Sequence, residues 1–107
     1  MAVLLLVLAM SRPALHVYPT VAAPGARVHL TGNSGDCPVG DAVFILSRAF
    51  TGHVFAGVGG VRTAVRAGGS FAAYARVRLH ARAGVYVITA RCGGGNLGVS
   101  PHLRVRK

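Results

Sequence analysis

The chain has 107 residues, 52% of them hydrophobic, which suits one domain with a single modest core and excludes a disordered chain. Valine outnumbers leucine, glutamate is absent and Lys107 is the only lysine, so strong helix formers are scarce and an all-β domain is favoured. The chain has 12 lysine and arginine residues but only two acidic residues, Asp36 and Asp41, so its formal net charge is +10. This charge favours anionic partners and does not indicate a particular fold.

The N-terminal segment over residues 1–14 begins with an apolar run, MAVLLLVLAM. The run is too short to cross a membrane, which takes about 20 residues, but it suits the hydrophobic part of a signal peptide. No basic residue precedes the run, and no Ala-x-Ala cleavage site follows it. We expect a degenerate signal peptide or an apolar arm over residues 1–14, with an additional buried strand as the alternative, and one domain over residues 15–107.

The first part of the domain predicts two strands. One is expected at Leu15–Tyr18, where Pro19 removes a backbone donor and so places the strand at a sheet edge. The residues Ala23-Pro24-Gly25 are typical of a turn. The next strand, Ala26–Thr31, alternates between an apolar face with Val28 and Leu30 and a basic face with Arg27 and His29.

The middle of the chain is less regular. Gly32–Gly40 has the composition of a loop and contains Cys37, and the apolar run in Asp41–Arg48 predicts a central strand. A short edge strand is expected around His53–Ala56 and a weak strand at Val61–Arg66. A tight turn, Ala67-Gly68-Gly69-Ser70, follows.

The last third predicts three strands. Phe71–His80 alternates over its full length, with Leu79 on the inward face and Tyr74, Arg76, Arg78 and His80 on the outward face; a helix is the alternative. Val85–Cys92 alternates too, with Tyr86 and Ile88 as core anchors. A glycine turn at Gly93–Gly95 leads to Leu97–Arg106, where Leu103 and Val105 are expected inward.

The stretch Ala83–Gly94, AGVYVITARCGG, resembles the penultimate strand of bacterial immunoglobulin-like domains. The resemblance covers about Leu15–Arg106, with further matches at Tyr18-Pro19, Ala23-Pro24-Gly25, Ser47-Arg48-Ala49-Phe50 and Leu103-Arg104-Val105. It implies an antiparallel β-sandwich of about seven strands, of the kind common in secreted or surface proteins of high-GC Gram-positive bacteria. Such domains serve as stalks, spacers or adhesion modules. A long Pro/Thr linker, a sorting signal and a C-terminal membrane span are missing here.

The two cysteines, Cys37 and Cys92, predict a single disulfide if the protein folds in an oxidising compartment. Antibody domains place their disulfide in mid-sheet against a tryptophan, but this chain has no tryptophan. Because Cys37 falls in a loop and Cys92 ends a strand, we expect the bond to tie the loop to one end of the sandwich.

No pattern predicts catalysis, a cofactor or a metal site. The two aspartates suit turn formation better than paired acid–base chemistry, and no Gly-x-Ser-x-Gly motif is present. The five histidines form no His-x-x-x-His pattern, and the glycine turn lacks the following helix that a phosphate loop needs. An enzyme is therefore not expected.

The most specific functional hypothesis concerns the basic residues on the outward faces of the strands. If the strands Ala26–Thr31 and Phe71–His80 are neighbours, as the second and fifth strands are in immunoglobulin-like sandwiches, their outward residues form one cationic face, and a second patch is expected on the opposite sheet. The first set is Arg27, His29, Arg76, Arg78 and His80, and the second is Arg91, Arg104 and Arg106. Arginine suits phosphate and carboxylate groups. The alternative is a solvated face made basic by composition alone.

We predict that the chain is a non-enzymatic structural or interaction module, secreted or at the cell surface, either by itself or as part of a larger surface protein. The alternative is a secreted binder of anionic polymers or membrane surfaces through the arginine faces. The partner is unknown, with a protein or an anionic cell-surface polymer as candidates. Nucleic acid is disfavoured because aromatic residues do not interleave with the basic ones.

Overall fold

The computed structural model describes residues 12–93 and 95–107. Within these ranges the chain forms strands joined by turns and one 3₁₀ turn at Ala67–Gly69, which confirms the all-β prediction and the turn there. The strands are β1 (Ala14–Tyr18), β2 (Val21–Ala22), β3 (Arg27–Asn33), β4 (Ala42–Leu46), β5 (Gly60–Ala64), β6 (Ser70–Arg76), β7 (Gly84–Val87), β8 (Thr89–Cys92), β9 (Gly95–Asn96) and β10 (His102–Val105). Of the N-terminal segment predicted over residues 1–14, residues 1–11 lie outside the described residues, whereas Ala14 belongs to β1.

The strands pair in three sets. β3 lies between β1 and β6, β10 lies between β2 and β7, and β4 lies between β5 and β8, with β9 beyond β8. β2 runs parallel to β10, whereas the other pairings are antiparallel. β1 is an edge strand that ends at Tyr18, directly before Pro19, as the missing backbone donor predicted.

One hydrophobic core joins the three sets of strands. β3 contributes Val28 and Leu30, which are fully buried as predicted, while β4 contributes Val43 and Ile45. Further large buried side chains come from β1, β6 and β10, from the segment after β4 and from the residue between β7 and β8: Leu15, Val17, Phe50, Phe71, Ile88, Leu103 and Val105. Burial of these groups is the main stabilising term that a chain of this size has available.

The stretch predicted as one strand, Val85–Cys92, is two strands with different partners. β7 pairs with β10, whereas β8 pairs with β4 and β9. Only Ile88 separates them; it is fully buried, and its N–H donates a 2.9 Å hydrogen bond to the Pro101 carbonyl. The inward–outward alternation continues through the break, so periodicity alone could not reveal the change of partner.

The prediction of a strand over Phe71–His80 was too long, since β6 ends at Arg76. Val77 forms an isolated bridge with Phe50, and the chain then turns, with the Ala81 N–H donating to the Arg78 carbonyl at 3.2 Å. Leu79, expected inward, is 73% exposed and lies against Gly25, whose φ of +85° forms the predicted turn before β3.

Three smaller predictions also need correction. The edge strand expected around His53–Ala56 is a tight turn closed by a bridge between Phe55 and Val58. The final strand covers only His102–Val105 of the expected Leu97–Arg106, although Leu103 and Val105 point inward as predicted. The loop after β3 starts at Ser34, because Gly32 and Asn33 still pair with β6.

The predicted disulfide between Cys37 and Cys92 is present, with an S–S distance of 2.06 Å and a Cα–Cα distance of 6.5 Å. Cys37 lies in the loop between β3 and β4, and Cys92 is the last residue of β8. The bond therefore ties a loop to the end of a strand, as expected. Among the described residues, none belongs to a helix long and apolar enough to cross a membrane.

Candidate functional site

The strand directions divide the molecule into two ends. The disulfide end holds the loop between β3 and β4, the end of β8 and its hairpin to β9. The opposite end, which we call the basic end, holds the turn before β3, the segment after β4 and the turn after β6. Both carboxylates of the chain, Asp36 and Asp41, lie in the loop at the disulfide end.

More than half of the twelve lysine and arginine residues lie at the basic end. All of them are exposed and stand at strand ends or in turns: Arg27, Arg48, Arg76, Arg78, Arg82, Arg106 and Lys107. Charges of one sign gathered in one region raise the local concentration of anions and speed their association. The strand order, rather than the composition, produces this separation of charge.

On the outward face of β3 and β6, three predicted residues meet around one tyrosine. Arg27 lies opposite Arg76 and His29 lies opposite Tyr74. The Arg27 guanidinium carbon is 4.6 Å from the centre of the Tyr74 ring, and the His29 ring stacks on the same ring at 4.4 Å and 19°. Arg76 donates a 2.8 Å hydrogen bond to the Gly25 carbonyl. The predicted proximity of Arg27, His29 and Arg76 is confirmed.

This face carries more aromatic side chains than the sequence predicted, because Tyr18 joins Tyr74 on it. Tyr18 on β1 lies opposite His29, so Tyr18, His29 and Tyr74 form one row across three strands. Tyr18 is 77% exposed at the edge of that row. The sequence could not show the row because it depends on the register between strands that are distant in the chain.

Arg78 and His80, which were predicted to share the β3–β6 face, lie instead on a groove at the basic end. The groove has a volume of about 610 Å³ and is lined by Arg48, Arg78, His80, Arg82, Val85, Tyr86 and Val87. The two residues leave the sheet face because β6 ends before them. The groove brings them beside Arg48 and Arg82, which the sequence reasoning missed.

Arg48 is held at the groove by a short turn after β4. The Ser47 hydroxyl accepts a 3.1 Å hydrogen bond from the Ala49 N–H, and the Phe50 N–H donates to the Ser47 carbonyl at 3.1 Å. Ser47, Ala49 and Phe50 are buried, which fixes the turn and leaves Arg48 exposed at its tip. The signal in the sequence is Ser-Arg-Ala-Phe directly after an apolar strand.

The turn that carries Arg78, His80 and Arg82 is fixed by two contacts. The Arg78 N–H donates a 2.8 Å bond to the Ala49 carbonyl, which joins this turn to the Arg48 turn. The Tyr86 hydroxyl donates a 2.7 Å bond to the Arg82 carbonyl. Tyr86, expected to be a core anchor, is half-buried and holds this turn instead. The backbone of the groove is thus fixed before any ligand arrives.

The second predicted patch joins Arg91 with Arg104 and Arg106, and the structure places these residues on two strands. Arg91 on β8 packs its guanidinium carbon 4.9 Å from the centre of the Phe55 ring, so it covers the tight turn after β4. Arg104 lies on β10 between Val21 and Val85, and Arg106 follows the end of β10. β8 and β10 pair with different strands, so Arg91 does not share a strand pair with Arg104 and Arg106.

Over residues 12–93 and 95–107, no group of three or more histidine, cysteine, aspartate or glutamate side chains could hold a metal ion. The arginine, histidine and tyrosine side chains at the basic end can make charge-assisted hydrogen bonds to oxyanions and can stack.

No protein family and no curated protein matches the chain. Among solved structures, it is similar to the Pseudomonas fluorescens alkylpurine DNA glycosylase AlkC bound to DNA containing an abasic site analog, with a TM-score of 0.57 and 18% identity over 91% of this chain. The match spans 31% of the glycosylase chain, so this chain is about a third as long as that protein. A Listeria innocua β-glucosidase in complex with gluconolactone matches with a TM-score of 0.46 and 13% identity over 91% of this chain and 16% of its own. At these identities the likeness concerns the fold alone.

Proposed function

We propose that this protein is a non-enzymatic, extracellular interaction module with an immunoglobulin-like β-sandwich fold, and that it binds anionic cell-surface polymers through its basic end. The observation that carries the proposal is the separation of charge: both carboxylates lie at the disulfide end, and most of the arginines lie at the other. Arginine forks bind phosphate and carboxylate oxygens in pairs of hydrogen bonds.

The strand pairing supports the immunoglobulin-like assignment. β1, β3 and β6 match one sheet of such a sandwich, and the other sheet is β5, β4, the β7–β8 stretch taken as one strand, and β10. These make seven strands, with β2 and β9 as short additions beside β10 and β8. Tyr86 also bonds a backbone carbonyl four residues upstream, near the start of the penultimate strand, as in the tyrosine corner of these domains. The buried Ile88 takes the place of the second core cysteine.

The disulfide supports an extracellular location for the protein, because disulfides form and persist in oxidising compartments and are rare in the cytosol. The resemblance of Ala83–Gly94 to secreted or surface domains of high-GC Gram-positive bacteria agrees with this assignment.

The test is binding to bacterial wall fragments that carry a phosphate polymer, measured against salt. Any protein of this charge adheres to an anionic matrix, so the control must have the same net charge. The Arg27→Ser/Arg76→Ser variant changes the β3–β6 face, and the Arg12→Ser/Arg66→Ser variant removes equal charge at the disulfide end. We expect the first to bind at least fivefold more weakly than the second. Equal loss in both variants would mean that only total charge matters and would overturn the proposal.

A further inference from the structure

The groove at the basic end combines a cationic surface with an apolar one. Three arginines and a histidine surround it, and two exposed valines of β7 lie within it. We propose that this groove binds the phosphate group of an amphiphilic ligand: Arg48, Arg78 and Arg82 hold the phosphoryl oxygens, and the apolar part of the ligand lies on Val85 and Val87. The inference rests on the proposed role of the basic end in binding anions, and it names a ligand class and a site.

The charge of the groove argues for an oxyanion. Three guanidinium groups present more donors than a carboxylate can accept, whereas a phosphate group offers three or four oxygens to them. Both carboxylates of the chain lie at the other end of the molecule, so neither Asp36 nor Asp41 competes for these arginines.

The apolar part of the groove argues that the ligand is amphiphilic. Val85 is 54% exposed and Val87 is 48% exposed, although the outward face of a strand at the surface is usually polar. Across the strand pairing, Val85 lies opposite Arg104 and Val87 opposite His102. Basic residues therefore border the valines on the β10 side as well as on the groove side, a pattern that fits a hydrocarbon segment with a negatively charged head.

The size and rigidity of the groove fit a small ligand. Its volume of about 610 Å³ falls within the range of roughly 300–1,000 Å³ that is typical of ligand sites. The hydrogen bond from Tyr86 to the Arg82 carbonyl and the buried Ser47 turn fix the two segments that carry the arginines. A fixed backbone lowers the entropy that is lost on binding.

Calorimetric titration with a short-chain, monomeric phosphatidic acid and with glycerol 3-phosphate tests both halves of the proposal. We expect the amphiphile to bind at least tenfold more tightly than glycerol 3-phosphate. The Arg48→Ser/Arg82→Ser variant should lose at least tenfold in affinity for the amphiphile, while Arg12→Ser/Arg66→Ser, which removes equal charge at the disulfide end, should lose less than threefold. Val85→Ser/Val87→Ser should bind both compounds alike.

Bilayer vesicles of phosphatidic acid in phosphatidylcholine distinguish the source of the phosphate. If vesicles and the monomer both bind and both depend on Arg48 and Arg82, the site takes a single molecule. If only vesicles bind with that dependence, the phosphate belongs to a lipid surface; both results support the groove. Equal, measurable affinity for the monomeric amphiphile and glycerol 3-phosphate, no binding of either the monomer or the vesicles, or equal losses in the two arginine variants would overturn the inference. Wall binding that still depends on Arg27 and Arg76 would then leave the proposed function standing.

Discussion

The two ends of this domain are held together by different means. At the disulfide end, a covalent bond ties the loop between β3 and β4 to the last residue of β8. At the basic end, hydrogen bonds and buried small side chains fix the turns, through Tyr86, Ser47 and Ala81. The disulfide-tied loop exposes Asp36, Pro38 and Val39, whereas the hydrogen-bonded turns present four arginine or histidine side chains to solvent. Stability and binding can therefore be changed separately in this molecule.

The largest effect should come from the disulfide end. Replacing both cysteines, Cys37→Ser/Cys92→Ser, removes a cross-link between residues separated by 55 positions. In the chain-entropy treatment a loop of that length contributes about 4 kcal/mol to the free energy of unfolding. Urea unfolding of the oxidised wild type and the variant measures the loss.

If the two ends are as independent as described, the folded fraction of this variant should still bind the amphiphile with wild-type affinity. A loss of affinity in the folded fraction would show that the ends are coupled, and a loss of stability below about 1 kcal/mol would contradict the stabilising role of the disulfide.

A substitution between the two ends should have the next largest effect. Ile88 is fully buried and is the single residue between β7 and β8. Ile88→Ala removes three buried carbon atoms and should lower the free energy of unfolding by about 3 kcal/mol. The control is Val87→Ala, whose side chain is exposed and whose loss should stay below about 0.5 kcal/mol. Similar losses in the two variants would contradict the placement of this break in the core.

The smallest effect should come from the basic end. Tyr86→Phe removes the hydroxyl that bonds the Arg82 carbonyl and should cost about 1 kcal/mol. Amide hydrogen exchange should show faster exchange in the turn over residues 78–82 and unchanged exchange at Cys92. Tyr18→Phe, at an exposed tyrosine of the opposite sheet face, should leave both unchanged. Unaltered exchange in the turn would mean that the hydroxyl does not hold it.

The outward and inward sides of the strands could be predicted from the sequence, because alternation is a local property of the chain. Val28 and Leu30 against Arg27 and His29 show this well. The change of partner between β7 and β8 could not be predicted, because strand pairing depends on residues far away in the sequence. The turn after β6 was missed for the same reason, since the Arg78 N–H bonds a carbonyl in the segment after β4.

The candidate site was predicted in part. Period-two spacing placed Arg27, His29 and Arg76 on the outward sides of their strands, and the structure pairs these two strands. The groove was missed because Arg48 and Arg82 reach it from two turns that meet only when the sheets are assembled. A basic residue at the tip of a turn carries no periodic signal, so its neighbours follow only from the fold.

The separation of charge between the two ends gives the molecule an electric dipole along its strands. A domain of this kind does not meet a negatively charged surface in a random orientation, because the field of that surface exerts a torque on it before contact. The arginine-bearing turns are attracted toward the negatively charged surface, and the disulfide-tied loop faces the solvent. The strand order thus determines which loops remain accessible to a second partner while the first is bound.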